Sequence, residues 1–145
     1  MLSVGQLLCY APNIHVLRSE RILKLLIAVK SEIIADSLAS SLSMHDVHTC
    51  DTGTDALAML ETLQPEILLL DLSLPVIDGL TLLRRSHYKP KHILALTNLV
   101  TPAVLQAAAD AGVQNIILLP CTVRHIIEHL NAQTEKPPLR KANDP

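Results

Sequence analysis

The stretch Pro65-Glu66-Ile67-Leu68-Leu69-Leu70-Asp71-Leu72-Ser73-Leu74-Pro75-Val76-Ile77-Asp78-Gly79 decides how the rest of the chain is read. Ile67 to Leu70 is an unbroken apolar run between Pro65 and Asp71. A short run of this kind, without polar alternation, reads as a strand covered on both faces. The carboxylate that follows is then held at the rim of a sheet, within reach of a donor. Asp78-Gly79 reads as a turn that tolerates positive φ. An isolated Asp after a strand is most often a turn former or a helix cap, so the meaning of Asp71 depends on its surroundings.

Upstream, Leu25 to Val29 form a similar apolar run, and Ile34, Leu38 and Leu42 then recur at the spacing of one helix face. Asp46 to Cys50 reads as a second strand. After Thr52-Gly53-Thr54, the residues Ala56, Leu57, Leu60 and Leu63 mark a helix, which Gln64-Pro65 ends by forcing an extended backbone. Downstream, Leu80 and Leu83 lie on a third helix and His92 to Leu96 on a fourth strand. Thr101-Pro102 supplies a cap and an N1 proline before Val104, Leu105 and Ala108, and that helix stops at Gly112. Ile116 to Leu119 is the fifth strand, and Val123, Ile126, Ile127 and Leu130 form the inner stripe of the last helix. Repeated strand-helix units imply a parallel sheet with right-handed crossovers and helices on both faces, an α/β doubly wound fold. Ligands of such folds meet the carboxyl ends of the strands.

Composition fits one core. The chain has 145 residues, 49% of them hydrophobic and 1% aromatic with no Phe or Trp, so aliphatic side chains must fill the interior. Lys and Arg number 12 against 14 Asp and Glu, and a formal charge of -2 gives no overall attraction for nucleic acid or an anionic membrane. The three cysteines, Cys9, Cys50 and Cys121, lack metal-ligand or redox spacing and suit free thiols in a reducing cytoplasm. No stretch suggests a signal peptide or a membrane span. The expected domain plan is an N-terminal extension at 1–21, a folded domain at 22–131, and a linker or disordered tail at 132–145.

The segment from Pro65 to Gly79, with Thr97 after the fourth strand and Pro120 after the fifth, closely resembles the phosphoacceptor region of response-regulator receiver domains. The resemblance spans residues 22–131 and implies the flavodoxin-like receiver fold, a five-stranded parallel sheet in the order 2-1-3-4-5. It also implies that Asp71 takes a phosphoryl group from a histidine kinase and that Thr97 turns inward to the phosphoryl oxygen. A cis bond at Leu119-Pro120 is expected on the same ground, X-Pro being the bond type for which cis is cheap.

Two groups of that family are missing here. The acidic pair that holds magnesium falls on Val29 and Lys30, and the Lys after the fifth strand falls on Leu119 ahead of Pro120. The aromatic switch position is Ile116. A register shift in the first strand would bring Glu32 near the pocket instead, although the apolar run ends at Val29. With the Val29 and Lys30 register, Lys30 is expected to pair with Asp71, and magnesium, which needs several oxygen ligands, is expected to bind weakly or not at all. No other cofactor and no metal site is expected.

Weaker signals have simpler readings. His125-Ile126-Ile127-Glu128-His129 satisfies an inverted zinc-peptidase pattern, but Ile126 and Ile127 belong to the inner stripe, so the histidines are expected to face solvent. His45 and His48 are expected at the surface. Arg84-Arg85 and Lys89-Pro90-Lys91 lack aromatic interleaving and read as a solvated rim. Gly53 and Gly79 form no phosphate cradle.

The reading reached is an atypical receiver, a signalling and interaction module rather than an enzyme, in the cytoplasm. Its expected partners are a histidine kinase or an output protein, and a second copy through the fourth helix, fifth strand and fifth helix, with Gln106, Asp110, Asn115, Arg124 and Glu128 on that face. Nucleic acid and membrane are not expected partners of this chain. The rival is a working phospho-accepting receiver of a transcriptional regulator whose DNA-binding output domain lies outside this sequence. A DNA-binding role within the sequence is disfavoured, since no helix-turn-helix fits after residue 131.

Overall fold

The computed structural model describes residues 21–135. Strands and helices alternate throughout: β1 Lys24–Ala28, α1 Glu32–Ser41, β2 Asp46–Cys50, α2 Gly53–Leu63, β3 Ile67–Asp71, α3 Gly79–Arg85, β4 His92–Thr97, α4 Pro102–Asp110, β5 Asn115–Leu118 and α5 Val123–Glu135. The strands form one five-stranded sheet in the order β2-β1-β3-β4-β5, and every neighbouring pair is parallel. Both the fold class and the strand order are those expected from the sequence.

The apolar runs work as double-sided strands because their alternate residues enter two different cores. Leu25, Ile27, Leu69, Leu94, Leu96 and Ile117 pack with Leu38 of α1 and Ile126, Ile127 and Leu130 of α5. Leu26, Ala28, Leu68, Leu70 and Ile93 pack with Ala56 and Leu60 of α2 and Leu82 and Leu83 of α3. Removing a large side chain from either layer would cost about 2–5 kcal/mol. The central strand β3 is buried along its whole length, which holds Asp71 at the rim.

Several local expectations change. Gln64 is left-handed (φ 49°, ψ 60°), not extended. As the C-cap of α2 its amide donates to the Leu60 carbonyl, a closing turn that ends the helix without right-handed geometry before Pro65. Leu105 is 46% exposed, and among the residues of α4 only Ala108 is buried, so α4 covers its part of the sheet thinly. Helix α5 runs to Glu135, beyond the boundary expected at residue 131. The remaining expectations for 1–20 and 136–145 lie outside the described residues.

Candidate functional site

Asp71 is the last residue of β3, opposite Leu96 of β4, and is 3% exposed. Three donors from two loops surround its carboxylate. Oδ1 accepts from the Ser73 amide at 2.9 Å and the Ser73 hydroxyl at 2.7 Å, while Oδ2 accepts a long bond of 3.4 Å from the Lys30 amide. The Ser73 amide bond is an Asx-type turn, for which Asp-x-Ser is a legible signal that the sequence reading passed over. The expected ion pair between Lys30 and Asp71 is not formed, and the Lys30 side chain is exposed. The reason is local. The Val29 amide continues the sheet by donating to Cys50 O at 3.2 Å, after which the chain turns so that Ser31 can cap α1. That turn aims the amide of Lys30, rather than its ammonium, at the carboxylate.

The β3–α3 loop is fixed at close quarters. The turn expected at Asp78-Gly79 is built differently: the positive φ belongs to Val76 at 73°, and the Ile77 amide donates to Pro75 O across it at 2.9 Å. Asp78 is instead the N-cap of α3, its Oδ1 accepting from the Thr81 amide at 2.9 Å. That backbone bond holds the Asp78 carboxyl below its ordinary value. Gly79 is required by proximity, since a Cβ there would lie 2.9 Å from the Asp71 carbonyl oxygen. At Gly53, the start of α2, a Cβ would stand 1.8 Å from Ile77 O, and the Gly53 amide donates to Pro75 O at 3.0 Å. The loop carrying Asp71 is thus clamped to α2.

Thr97 ends β4 and is 6% exposed. Its hydroxyl serves its own loop, donating to Leu99 O at 3.2 Å and accepting from the Leu99 amide at 3.1 Å. Leu119 follows β5, donates its amide to Thr97 O at 2.7 Å and packs against the α1–α5 core. Leu119-Pro120 is cis, as expected. Val29 is 1% exposed within the same core. The fold therefore brings Val29, Lys30, Asp71, Thr97, Leu119 and Pro120 to the carboxyl end of the sheet. Glu32, the alternative acidic candidate, lines with Val29, Asp36, Asp51 and Asp55 a groove of about 440 Å³ between α1 and α2, to which Asp71 does not contribute. Beneath that groove, burial and the nearby Asp55 and Asp51 push the Cys50 thiol up to about 12.

The remaining histidines are less uniformly exposed than expected. His45 is half-buried and accepts at Nδ1 from the Leu23 amide at 3.1 Å. His48 lies within β2, with Nε2 2.9 Å from the Asp46 carboxylate. On α5, His125 faces solvent but His129 is half-buried. Burial and the neighbouring His125 hold the His129 imidazole below its ordinary value.

The sequence model of the response regulator receiver domain matches residues 28–131, most of the chain. The chain belongs to that family. This receiver is 28% identical over 114 residues to the response regulator MprA of Mycobacterium avium, covering 76% of this chain and 50% of that protein. It is 35% identical over 80 residues to a protein-glutamate methylesterase/protein-glutamine glutaminase of Rhodospirillum rubrum, covering 52% of this chain and 22% of that protein. The receiver thus spans half or less of these curated relatives. Among solved structures, a CheY-like receiver domain protein of Methanospirillum hungatei superposes with a TM-score of 0.71 at 22% identity, covering 79% of this chain and 95% of that one. A LuxR-family response regulator of Staphylococcus aureus superposes with a TM-score of 0.64 at 21% identity, covering 77% and 98%. At such identities these two superpositions establish the fold. Family membership places the receiver in two-component signalling. No described helix is long and apolar enough to cross a membrane.

Proposed function

We propose that this receiver acts mainly as a protein-interaction module, with weak or absent magnesium-dependent phosphorylation at Asp71, and that it is not an enzyme. The observation that carries the reading is the environment of Asp71. Its oxygens already accept from Ser73 and from the Lys30 amide, and the flanking positions are apolar, Val29 buried in the core and Leu119 half-buried against it. Magnesium demands near-octahedral oxygen coordination, usually with more than one charged donor or a substrate phosphate. The donor set here, one carboxylate at the end of β3, does not fit it, and among the described residues no group of three or more His, Cys, Asp or Glu gathers around a metal-sized space. Phosphoryl transfer depends on neutralising charge on the transferring oxygens, and the side chains that would do so are missing. Thr97, the expected phosphoryl-switch residue, is engaged with Leu99.

The partners in this reading are a histidine kinase or an output protein, and a second copy through α4, β5 and α5, while nucleic acid and membrane are not partners of this chain. In support of that face, Leu105 and Leu118 are 46% and 57% exposed. Beside them Arg124 pairs with Glu128 at 3.4 Å, and the Gln106 amide donates to the Asp110 carboxylate at 2.9 Å, which keeps its negative charge.

The second reading, a phospho-accepting receiver of a longer transcriptional regulator, is favoured by the presence of Asp71 and Thr97 at the ends of β3 and β4. Incubation with acetyl phosphate and magnesium, followed by intact mass measurement, separates the two. Little or no phosphoryl addition is expected. Near-stoichiometric addition, lost in Asp71→Asn, would overturn the proposal in favour of the second reading.

A further inference from the structure

His125 and His129 lie one helical turn apart on α5, and their Nε2 atoms approach to 3.2 Å. The rings meet edge to face, with centroids 4.6 Å apart and an interplanar angle of 74°. Residues at i and i+4 are neighbours on a helix surface, but adjacency alone does not aim two ring nitrogens at one point. Here a third residue holds one of them. Asn115, the first residue of β5, places its side-chain amide nitrogen 2.9 Å from Nδ1 of His129, and the ring is half-buried between strand and helix. Ile126 and Ile127 anchor the same turn of α5 in the core. Neither Asn115 nor the histidines contribute to the Asp71 site.

The geometry points to His125 and His129 as a bidentate site for a borderline divalent transition metal such as zinc, nickel or copper, with Asn115 as the residue that orients His129. Imidazole is the nitrogen ligand such ions favour. With zinc-nitrogen bonds of about 2.0–2.1 Å, nitrogens at this separation subtend about 100–106° at the metal, close to the tetrahedral angle. In the metal-free chain one Nε2–H donates to the other Nε2. Metal binding requires the donor ring to pass that proton from Nε2 to its own Nδ1, so that both imidazoles stay neutral, His129 carries its proton on Nδ1 and both Nε2 lone pairs turn to the ion. The Asn115 amide can serve either state. Its NH2 donates to a bare Nδ1, and after a half-turn its oxygen accepts from Nδ1–H, the outer-shell bond that fixes the tautomer of metal-bound histidines. Glu128, between the two histidines in sequence, is paired with Arg124 at 3.4 Å. With no third ligand converging among the described residues, the other coordination positions stay open to water or to a donor from a docked molecule. This is a binding site, without the ligand set of a peptidase.

The inference holds or fails independently of phosphorylation at Asp71, because it uses other residues and another metal class. The test is calorimetric titration of the full chain with zinc chloride, with imidazole chemical shifts followed by NMR. Saturable binding of one zinc per chain is expected, with the His125 and His129 resonances shifting together. His125→Ala and His129→Ala should each abolish that binding phase, and Asn115→Ala should weaken it by about 10–100-fold. His48→Ala, which removes the separate pair with Asp46, should leave it unchanged. His125 is exposed, so His125→Ala is expected to fold like the parent and remains informative even if a variant at His129 is unstable. Zinc affinity undiminished in His125→Ala, or no saturable binding in the parent, would overturn the inference.

Discussion

Ser73 donates twice to one oxygen of Asp71, from its amide at 2.9 Å and from its hydroxyl at 2.7 Å. The residue two positions after the carboxylate therefore supplies much of the local polarity that lets Asp71 sit almost fully buried. A buried carboxylate without partners would be costly. In this chain two of the three donors come from the loop that follows Asp71, and the third is the Lys30 amide.

Ser73→Ala is expected to lower stability by about 1–2 kcal/mol, toward the lower part of the range for hydrogen bonds to charged groups because Ser73 itself is exposed and its amide bond remains. Urea denaturation measures this. An unchanged midpoint would mean that water replaces the hydroxyl without loss.

Rebuilding the missing groups with Val29→Asp, Lys30→Asp and Leu119→Lys together should restore magnesium binding before it restores phosphorylation. Val29 is buried, so the new carboxylate should destabilise the metal-free protein, and magnesium should then raise the urea midpoint by binding the native state alone. The parent should show no such rise. A triple variant that is insensitive to magnesium would show that more than these side chains is missing.

Self-association is expected through the face bearing Leu105 and Leu118, with or without a phosphate mimic. Sedimentation over a concentration series should show a weak dimer that Leu105→Glu or Leu118→Glu disrupts. A monomer at high micromolar concentration would argue against that interface.

Asp78 caps α3 and so holds the far end of the Asp71 loop. Asp78→Ala is expected to cost about 1 kcal/mol at neutral pH, the usual loss for an N-cap. The folded-state carboxyl is depressed, so the charge-dependent part of its contribution is fully present above the unfolded value near pH 3.9 and is lost as pH falls through the lower folded value. The gap between parent and Asp78→Ala should therefore be flat from about pH 7 to pH 5 and narrow only below about pH 4. A gap that closes near pH 6 would point to another group.

The architecture was legible because it rests on periodicity. Ile67 to Leu70 had to be covered on both faces, and the alternation of such runs with helical stripes implies parallel pairing. The residues at the strand ends followed from the same reasoning, since the end of each run marks the rim. Thr101 occupies the N-cap expected of it, whereas Thr52 and Asp78, which the sequence offered as parts of turns, are N-caps as well. Less legible were backbone details that depend on neighbours distant in the chain. Gly79 is enforced by the Asp71 carbonyl rather than by its own φ, and Leu105 had the spacing of a core residue but meets too little of the sheet to be covered.

The sequence by itself determined the order of elements, the double-sided core and the presence of Asp71 and Thr97 at the rim, because each depends on residue type and spacing along the chain. Only the tertiary structure decided what those groups touch. Lys30 offers Asp71 its amide and not its ammonium because Ser31 must cap α1 immediately afterwards. Thr97 closes on Leu99. His129 faces Asn115 because β5 and α5 pack side by side. Side-chain direction is fixed by the path of the backbone and by packing against elements remote in sequence, and a residue pattern carries neither.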